Sequence, residues 1–113
     1  MTPELAITQE QQNLLLQLLQ QFLPNVGVWA FGSRVKGTAR PTSDLDLVVF
    51  ANPSQRPQVF ALHEALEESN LPFRIDLLIW DEIPANFKTN IQRQYIELVS
   101  NTEVAVIPAL SGK

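Results

Sequence analysis

Two aspartates one residue apart lead directly into an apolar run in the segment SDLDLVVF, residues 43–50. In a strand, Asp44 and Asp46 would lie on one face, roughly 6–7 Å apart, close enough to bind the same divalent ion or an adjacent pair. Without a cation the carboxylates would repel each other and raise each other's pKa. A solvated face on an edge strand is the alternative, but it accounts poorly for the apolar run.

A glycine–serine turn lies shortly before the aspartates. Gly32 would let the backbone come close to a ligand, Ser33 adds a hydroxyl, and a helix start presents free N–H groups to an anion. The turn therefore predicts a phosphate-binding element, although Gly-Ser turns are common and the signal is weak when taken alone. Arg34 and Lys36 follow, and each could contact a triphosphate or belong to an ordinary solvated loop.

A third aspartate, Asp76, lies in the apolar segment RIDLLIW, residues 74–80. Strand pairing could bring it beside Asp44 and Asp46, or it could simply pair with Arg74 on the same face. Taken together, the three aspartates predict two-metal phosphoryl chemistry on a nucleoside triphosphate, with Mg²⁺ held by Asp44 and Asp46. Asp76 would complete one metal site and help to deprotonate the attacking hydroxyl.

These residues require a small fold that brings a turn and two strands together. Hydrophobic periodicity and turn signals predict an α-β-α-β-α-β-α-(β) order, and therefore an α/β (α+β) fold with a mixed sheet flanked by helices. The predicted helices are 8–23, 33–37, 57–69 and 84–99, and the predicted strands are 26–31, 45–51, 73–80 and 103–107.

Several local signals support these elements. Thr8 and Gln11 fit a capping box, and Gly37 fits the end of a short helical turn. The apolar stripe of the third helix is expected to contain Phe60, Leu62, Ala65 and Leu66. The apolar side of the last helix is expected to contain Phe87, Ile91, Tyr95 and Leu98.

The composition limits the class of protein. A chain of 113 residues predicts one domain over 1–113, with a loose tail at 108–113. Without cysteine, a disulfide framework or Cys-based zinc site is excluded. The net charge of −4 argues against direct nucleic-acid binding, although the cations near Gly32 could hold a small anion. With neither a signal peptide nor a membrane span recognisable, we expect a cytoplasmic protein.

The spacing of the motif matches a known family. Gly32-Ser33, ten intervening residues, Asp44-Leu45-Asp46 and a later strand Asp76 together resemble the DNA polymerase β-like nucleotidyltransferase superfamily. The stretch FGSRVKGTARPTSDLDLVV is similar to the minimal nucleotidyltransferases within it. The motif covers about a fifth of the chain and its positions are intact. The order of elements extends the resemblance to nearly the whole chain.

The resemblance implies a mixed sheet with flanking helices and the Mg²⁺-dependent transfer of AMP from ATP to an acceptor. It also implies a small helical HEPN-type partner. In such toxin–antitoxin pairs, the nucleotidyltransferase would adenylylate a tyrosine of the HEPN RNase toxin. Larger members carry a second domain for the acceptor, so this chain is expected to use a partner surface.

Two other functions stay open at this stage. The chain could be an antitoxin that neutralises the toxin by binding alone, or a small-molecule transferase subunit of the antibiotic-modifying kind. The sequence leaves undetermined the preferred nucleotide, the acceptor residue, the number of AMP units and the stoichiometry.

Four other residues could carry chemistry, but core or surface positions are expected for them. His63 lies in a predicted helix, far from the motif in sequence. Trp29 and Trp80 are expected to pack in the core or at its rim rather than to stack on a base. Tyr95 is expected to pack on the last helix rather than to be modified.

Overall fold

The computed structural model describes residues 5–100. They form a four-stranded mixed sheet with helices, which confirms the predicted fold class. The helices are α1 Gln9–Phe22, α2 Ser33–Lys36, α3 Arg56–Glu67 and α4 Ala85–Arg93. The strands are β1 Val28–Phe31, β2 Leu45–Val49, β3 Ile75–Ile79 and β4 Ile96–Val99. Single 3₁₀ turns at Pro53–Gln55 and Trp80–Glu82 precede α3 and follow β3.

The sheet has the strand order β3-β2-β1-β4. β1 is antiparallel to both β2 and β4, whereas β2 and β3 are parallel. The register places Phe31 opposite Asp46, and Asp46 opposite Asp76. Paired positions on neighbouring strands point to the same face, so these three side chains form one row across the sheet.

The main core lies between one face of the sheet and the helices α1 and α3. Because side chains alternate along a strand, Leu45, Leu47 and Val49 face this core while Asp46 and Val48 face the other side. On that other side, Val48 packs against Ile83 and Ile91 in a smaller cluster. The sheet therefore has one fully covered face and one face that α4 covers only in part.

The predicted ends of the first two helices are confirmed. The Thr8 hydroxyl accepts the Gln11 N–H at 3.1 Å, and the Gln11 side chain accepts the Thr8 N–H at 2.9 Å, which is a complete capping box. Gly37 ends α2 in the left-handed conformation, with φ of +81°.

The prediction of one helix through residue 99 is wrong. α4 ends at Arg93, Gln94 is extended, and Ile96–Val99 pair with β1 as β4. Tyr95 and Leu98 therefore do not lie on the helix, and Tyr95 instead stacks on Trp29 with ring centroids 3.8 Å apart. The β-branched and aromatic residues of this segment favour a strand when a neighbouring strand has backbone groups free to pair with them.

The apolar stripe predicted for α3 is also partly wrong. Val59, Leu62 and Leu66 are the buried residues, whereas the side chain of Phe60 is 66% exposed. Residues 59, 62 and 66 are spaced by three and four, so they lie on one side of the helix, and Phe60 lies off that side.

Two predictions fall outside the described residues, namely the strand at 103–107 and the loose tail at 108–113. Asp44 lies one residue before β2 rather than within the strand. Over residues 5–100, every helix falls short of the length and apolarity needed to cross a bilayer.

The contrast between Leu62 and Phe60 can be tested on α3 itself. We expect Leu62→Ala to lower the free energy of unfolding by about 2–5 kcal/mol, because it leaves a cavity in the main core. Phe60→Ala should change it by less than about 0.5 kcal/mol, because Phe60 is exposed. Urea denaturation measures both, and comparable losses would contradict the assignment.

Candidate active site

The candidate site lies where β1 runs into α2. Gly32 follows Phe31 directly and adopts φ of +86° and ψ of −159°, a conformation that only glycine adopts readily. The carbonyl of Gly32 accepts the N–H groups of Val35 and Lys36 at 3.0 and 3.1 Å, which closes the short turn of α2. Ser33 is the first residue of that turn.

Gly32 touches the carboxylate of Asp46. A Cβ atom on Gly32 would overlap Oδ2 of Asp46, so any side chain there would displace the carboxylate. The close approach follows from the antiparallel register, in which Phe31 and Asp46 are partners. The glycine turn and the strand aspartate thus form one structural unit.

Asp46 and Asp76 form the second contact of the site. They are register partners on the parallel strands β2 and β3, so their carboxylates lie side by side on one face of the sheet. The pKa of Asp46 is raised from an ordinary 3.8 to about 6, mainly by burial and then by the charges of Asp76 and Asp44. The charged form of Asp46 is therefore less favourable in the folded protein than it would be in water.

Arg74 supplies only a weak countercharge. Its Nε lies 3.7 Å from Oδ1 of Asp76, with the two side chains 73% and 41% exposed. Exposed pairs at this distance contribute little to stability. Asp76 therefore pairs with Arg74, as the sequence suggested, and also neighbours Asp46.

A cleft of about 530 Å³ opens over the carboxylate pair. Its polar lining consists of Gly32, Lys36, Asp46, His63, Asp76, Asn90 and Gln94. Its apolar lining consists of Phe31, Leu77, Leu78, Phe87 and Ile91. The cleft combines two acids, one cation and amide groups beside aromatic rings, which suits an anionic ligand with a planar part.

The structure brings most of the predicted site residues together. Gly32, Lys36, Asp46 and Asp76 line the cleft, and Ser33 follows Gly32 in the turn. Asp44 is close enough for its charge to act on Asp46. Arg34 is not brought to the cleft, because its side chain is buried and its guanidinium donates to backbone carbonyls elsewhere.

Sequence reasoning missed part of the cleft. His63 was expected at the surface or boundary, and α3 brings it to the lining of the cleft. Phe87, Asn90 and Gln94 also line the cleft, and they come from α4 and its end. These residues share no motif with Gly32 or Asp46, so only the packing of the helices could identify them.

The residues present fit a magnesium site. Carboxylate oxygens are the ligands that Mg²⁺ prefers, and a divalent cation would offset the burial and the neighbouring charges that raise the pKa of Asp46. Within residues 5–100, no three acidic, histidine or cysteine side chains are already gathered into a complete metal-binding cluster. Asp46 and Asp76 already lie side by side, and Asp44 is close enough for its charge to act on Asp46.

Comparison with known proteins identifies the family. The model of the polymerase beta nucleotidyltransferase family matches residues 13–104, and the chain belongs to this family. Among curated proteins, the probable protein adenylyltransferase MntA of Haemophilus influenzae is 42% identical over 97 residues, which cover 82% of each chain. The resemblance expected from the motif is thereby confirmed.

Solved structures share the fold. A toxin–antitoxin complex with AMP-PNP contains a chain that superposes with a TM-score of 0.60 at 21% identity, covering 88% of this chain and 82% of that one. A complex of a tri-AMPylated Shewanella oneidensis HEPN toxin with its MNT antitoxin contains another, with a TM-score of 0.54 at 16% identity. That alignment covers 93% of this chain and 82% of the other.

The carboxylate pair predicts a pH-dependent stability in metal-free solution. Because the folded pKa of Asp46 is about 6 against an ordinary 3.8, the folded state binds more protons than the unfolded state between these values. Stability should fall as the pH rises through this window. Asp46→Asn should therefore stabilise the protein by about 1–2 kcal/mol near pH 7.5, after allowance for solvent screening, and hardly at all near pH 4.

Urea denaturation in the presence of a chelator at both pH values checks this, with Asp81→Asn at an exposed position as the control. Equal stability of Asp46→Asn and the unsubstituted protein near pH 7.5 would show that the pair is not strained.

Gly32 and Gly37 both have a positive φ, but only a side chain at position 32 would also meet Asp46. A Cβ on Gly37 would meet nothing within 4 Å. Gly37→Ala should cost about 1–2 kcal/mol from conformation alone. Gly32→Ala should cost more, because the Gly32 backbone conformation is open essentially to glycine alone and Asp46 must also move, and the difference is read from thermal unfolding. A smaller loss for Gly32→Ala would contradict the contact.

Proposed function

We propose that this protein is a Mg²⁺-dependent nucleotidyltransferase that transfers AMP from ATP to a hydroxyl of a partner protein. The partner is a helical HEPN-type RNase toxin, the acceptor is a tyrosine, and the chain acts as the antitoxin. The observation that carries the proposal is the register-matched Asp46–Asp76 pair beside Gly32, in a cleft that also holds Lys36. The named activity of the MntA relative supports the acceptor class.

Each residue has a role in this reaction. Gly32 and Ser33 bind the outer phosphates of ATP through the turn that begins α2, and Lys36 neutralises part of their charge. Asp44 and Asp46 would hold two Mg²⁺ ions, with Asp76 as a further ligand. The metal supplies charge neutralisation for the triphosphate and for the carboxylates.

The transfer itself is a substitution at the α-phosphorus. The acceptor hydroxyl forms the new oxygen–phosphorus bond, the bond from the α-phosphorus to the bridging oxygen breaks, and pyrophosphate leaves. Asp76 would take the hydroxyl proton. Its position on β3, at one edge of the described sheet, and its partial exposure support this role. Positioning and charge neutralisation supply most of the rate acceleration in such reactions.

The test is incubation with ATP, Mg²⁺ and the product of the adjacent gene as the candidate partner, followed by intact mass spectrometry. We expect a mass increase equal to one or more AMP units on the partner. The variant Asp44→Asn with Asp46→Asn should lose at least about 100-fold in rate while still binding the partner, because the carboxylate charges are absent. Asp81→Asn, exposed and outside the cleft, is the control.

Other outcomes would select another function. Toxin neutralisation that survives in the double variant would show that binding alone is sufficient. An adduct on an added small molecule, with none on the partner protein, would indicate a small-molecule transferase.

A further inference from the structure

Arg34 is the one charged or polar side chain among residues 5–100 that is buried, with 5% of its surface exposed. It follows Ser33 within α2, in the turn assigned to phosphate binding. An arginine in this position suggests a phosphate ligand, yet its side chain points away from the cleft that holds Asp46 and Asp76. A buried arginine is costly unless its donors are satisfied.

Backbone carbonyls satisfy those donors. Nε and Nη2 of Arg34 both donate to the carbonyl of Ser43, at 3.0 and 2.8 Å. Nη2 also donates to the carbonyls of Pro41 and Arg40, at 3.1 and 3.4 Å. Nη1 donates to the carbonyl of Ala6 at 2.7 Å, and the Ala6 N–H donates back to the Arg34 carbonyl at 2.8 Å. One side chain thus joins the loop after α2 to the segment before α1.

The contact with Ser43 fixes the residue that precedes Asp44. Asp44 lies outside the β2 ladder, so strand pairing does not position it. On its other side, the Leu45 N–H donates to the carbonyl of Arg74 at 2.8 Å. The peptide before Asp44 is therefore held by Arg34, and the residue after it is held by the chain entering β3.

The guanidinium also reaches the chain that leads to Asp76. Its central carbon lies 4.2 Å from the ring centroid of Phe73, which is two residues before β3. A cation over an aromatic face is attracted by the ring, and more strongly when both are shielded from water. Arg34 thus contacts the chain beside two of the three aspartates while being covalently next to the Gly32–Ser33 turn.

We propose that Arg34 is a positioning residue, which holds Asp44 at a set place relative to the Gly32–Ser33 turn through the Ser43 carbonyl. The inference rests on the proposed function of the same site, because Asp44 matters as a metal ligand there. Arg34 itself touches neither nucleotide nor metal. Its planar fork supplies donors in several directions, which the single ammonium of a lysine does not reproduce.

The test compares Arg34→Met and Arg34→Lys with Leu66→Ala, a core variant on α3 far from the loop in sequence. Mn²⁺ binding, followed by electron paramagnetic resonance, reports on the metal site without catalysis. We expect both Arg34 variants to bind Mn²⁺ about 10–100-fold more weakly, which is the range for residues that orient metal ligands. Leu66→Ala should lose stability but keep its Mn²⁺ affinity.

Two further measurements separate positioning from general destabilisation. Amide hydrogen exchange at residues 38–45 should accelerate in the Arg34 variants and stay unchanged in Leu66→Ala. The kcat for adenylylation should fall about 10–100-fold, because the displaced carboxylate of Asp44 acts on the phosphates. The KM for the partner protein should stay unchanged, because Asp44 does not act on that protein. Arg34→Lys keeps the charge, so it also provides the test if Arg34→Met does not fold.

The proposal would be overturned if Arg34→Lys and Arg34→Met bound Mn²⁺ as tightly as Leu66→Ala does. Full activity in Arg34→Lys would overturn it as well. A wild-type protein that fails to adenylylate the partner would instead contradict the proposed function. The Mn²⁺ and exchange measurements would still decide the role of Arg34 in that case.

Discussion

Two carboxylates held in contact by a parallel strand pair are the constraint on which this structure depends. Asp46 and Asp76 cannot separate, because the register of β2 and β3 fixes their backbones opposite each other. Burial and the neighbouring charge of Asp76 raise the pKa of Asp46 in the protein alone. A divalent cation bound there would offset both effects, so part of the cost of holding the two carboxylates together would appear as affinity for the metal.

The surrounding fold maintains this pair. Leu45 and Leu47 anchor β2 in the main core on either side of Asp46, and a one-residue slip of β2 would exchange the two faces. The same register places Gly32 against Asp46, where any side chain would displace the carboxylate. One strand register therefore determines the positions of the glycine, the paired aspartates and the two leucines.

The sequence predicts the part of the site that is built from short-range signals. The Gly32–Asp46 spacing and the apolar alternation of β2 are local, so both were recognised. The change from α4 to β4 was missed because Ile96–Val99 become a strand only by pairing with β1, which is distant in sequence. The place of His63 in the cleft lining likewise depends on how α3 packs, which local signals do not determine.

Arg34 and Lys36 show why charge alone misleads at a binding turn. Both are cations close to the Gly32–Ser33 turn, and the sequence gives them the same possible role. In a helical turn, residues two apart differ by about 200° in direction, so they cannot both face the cleft. Lys36 lines the cleft, whereas Arg34 is buried against the loop that ends at Asp44. The same four-residue helix thus carries one cation to the cleft and the other to the loop that leads to Asp44.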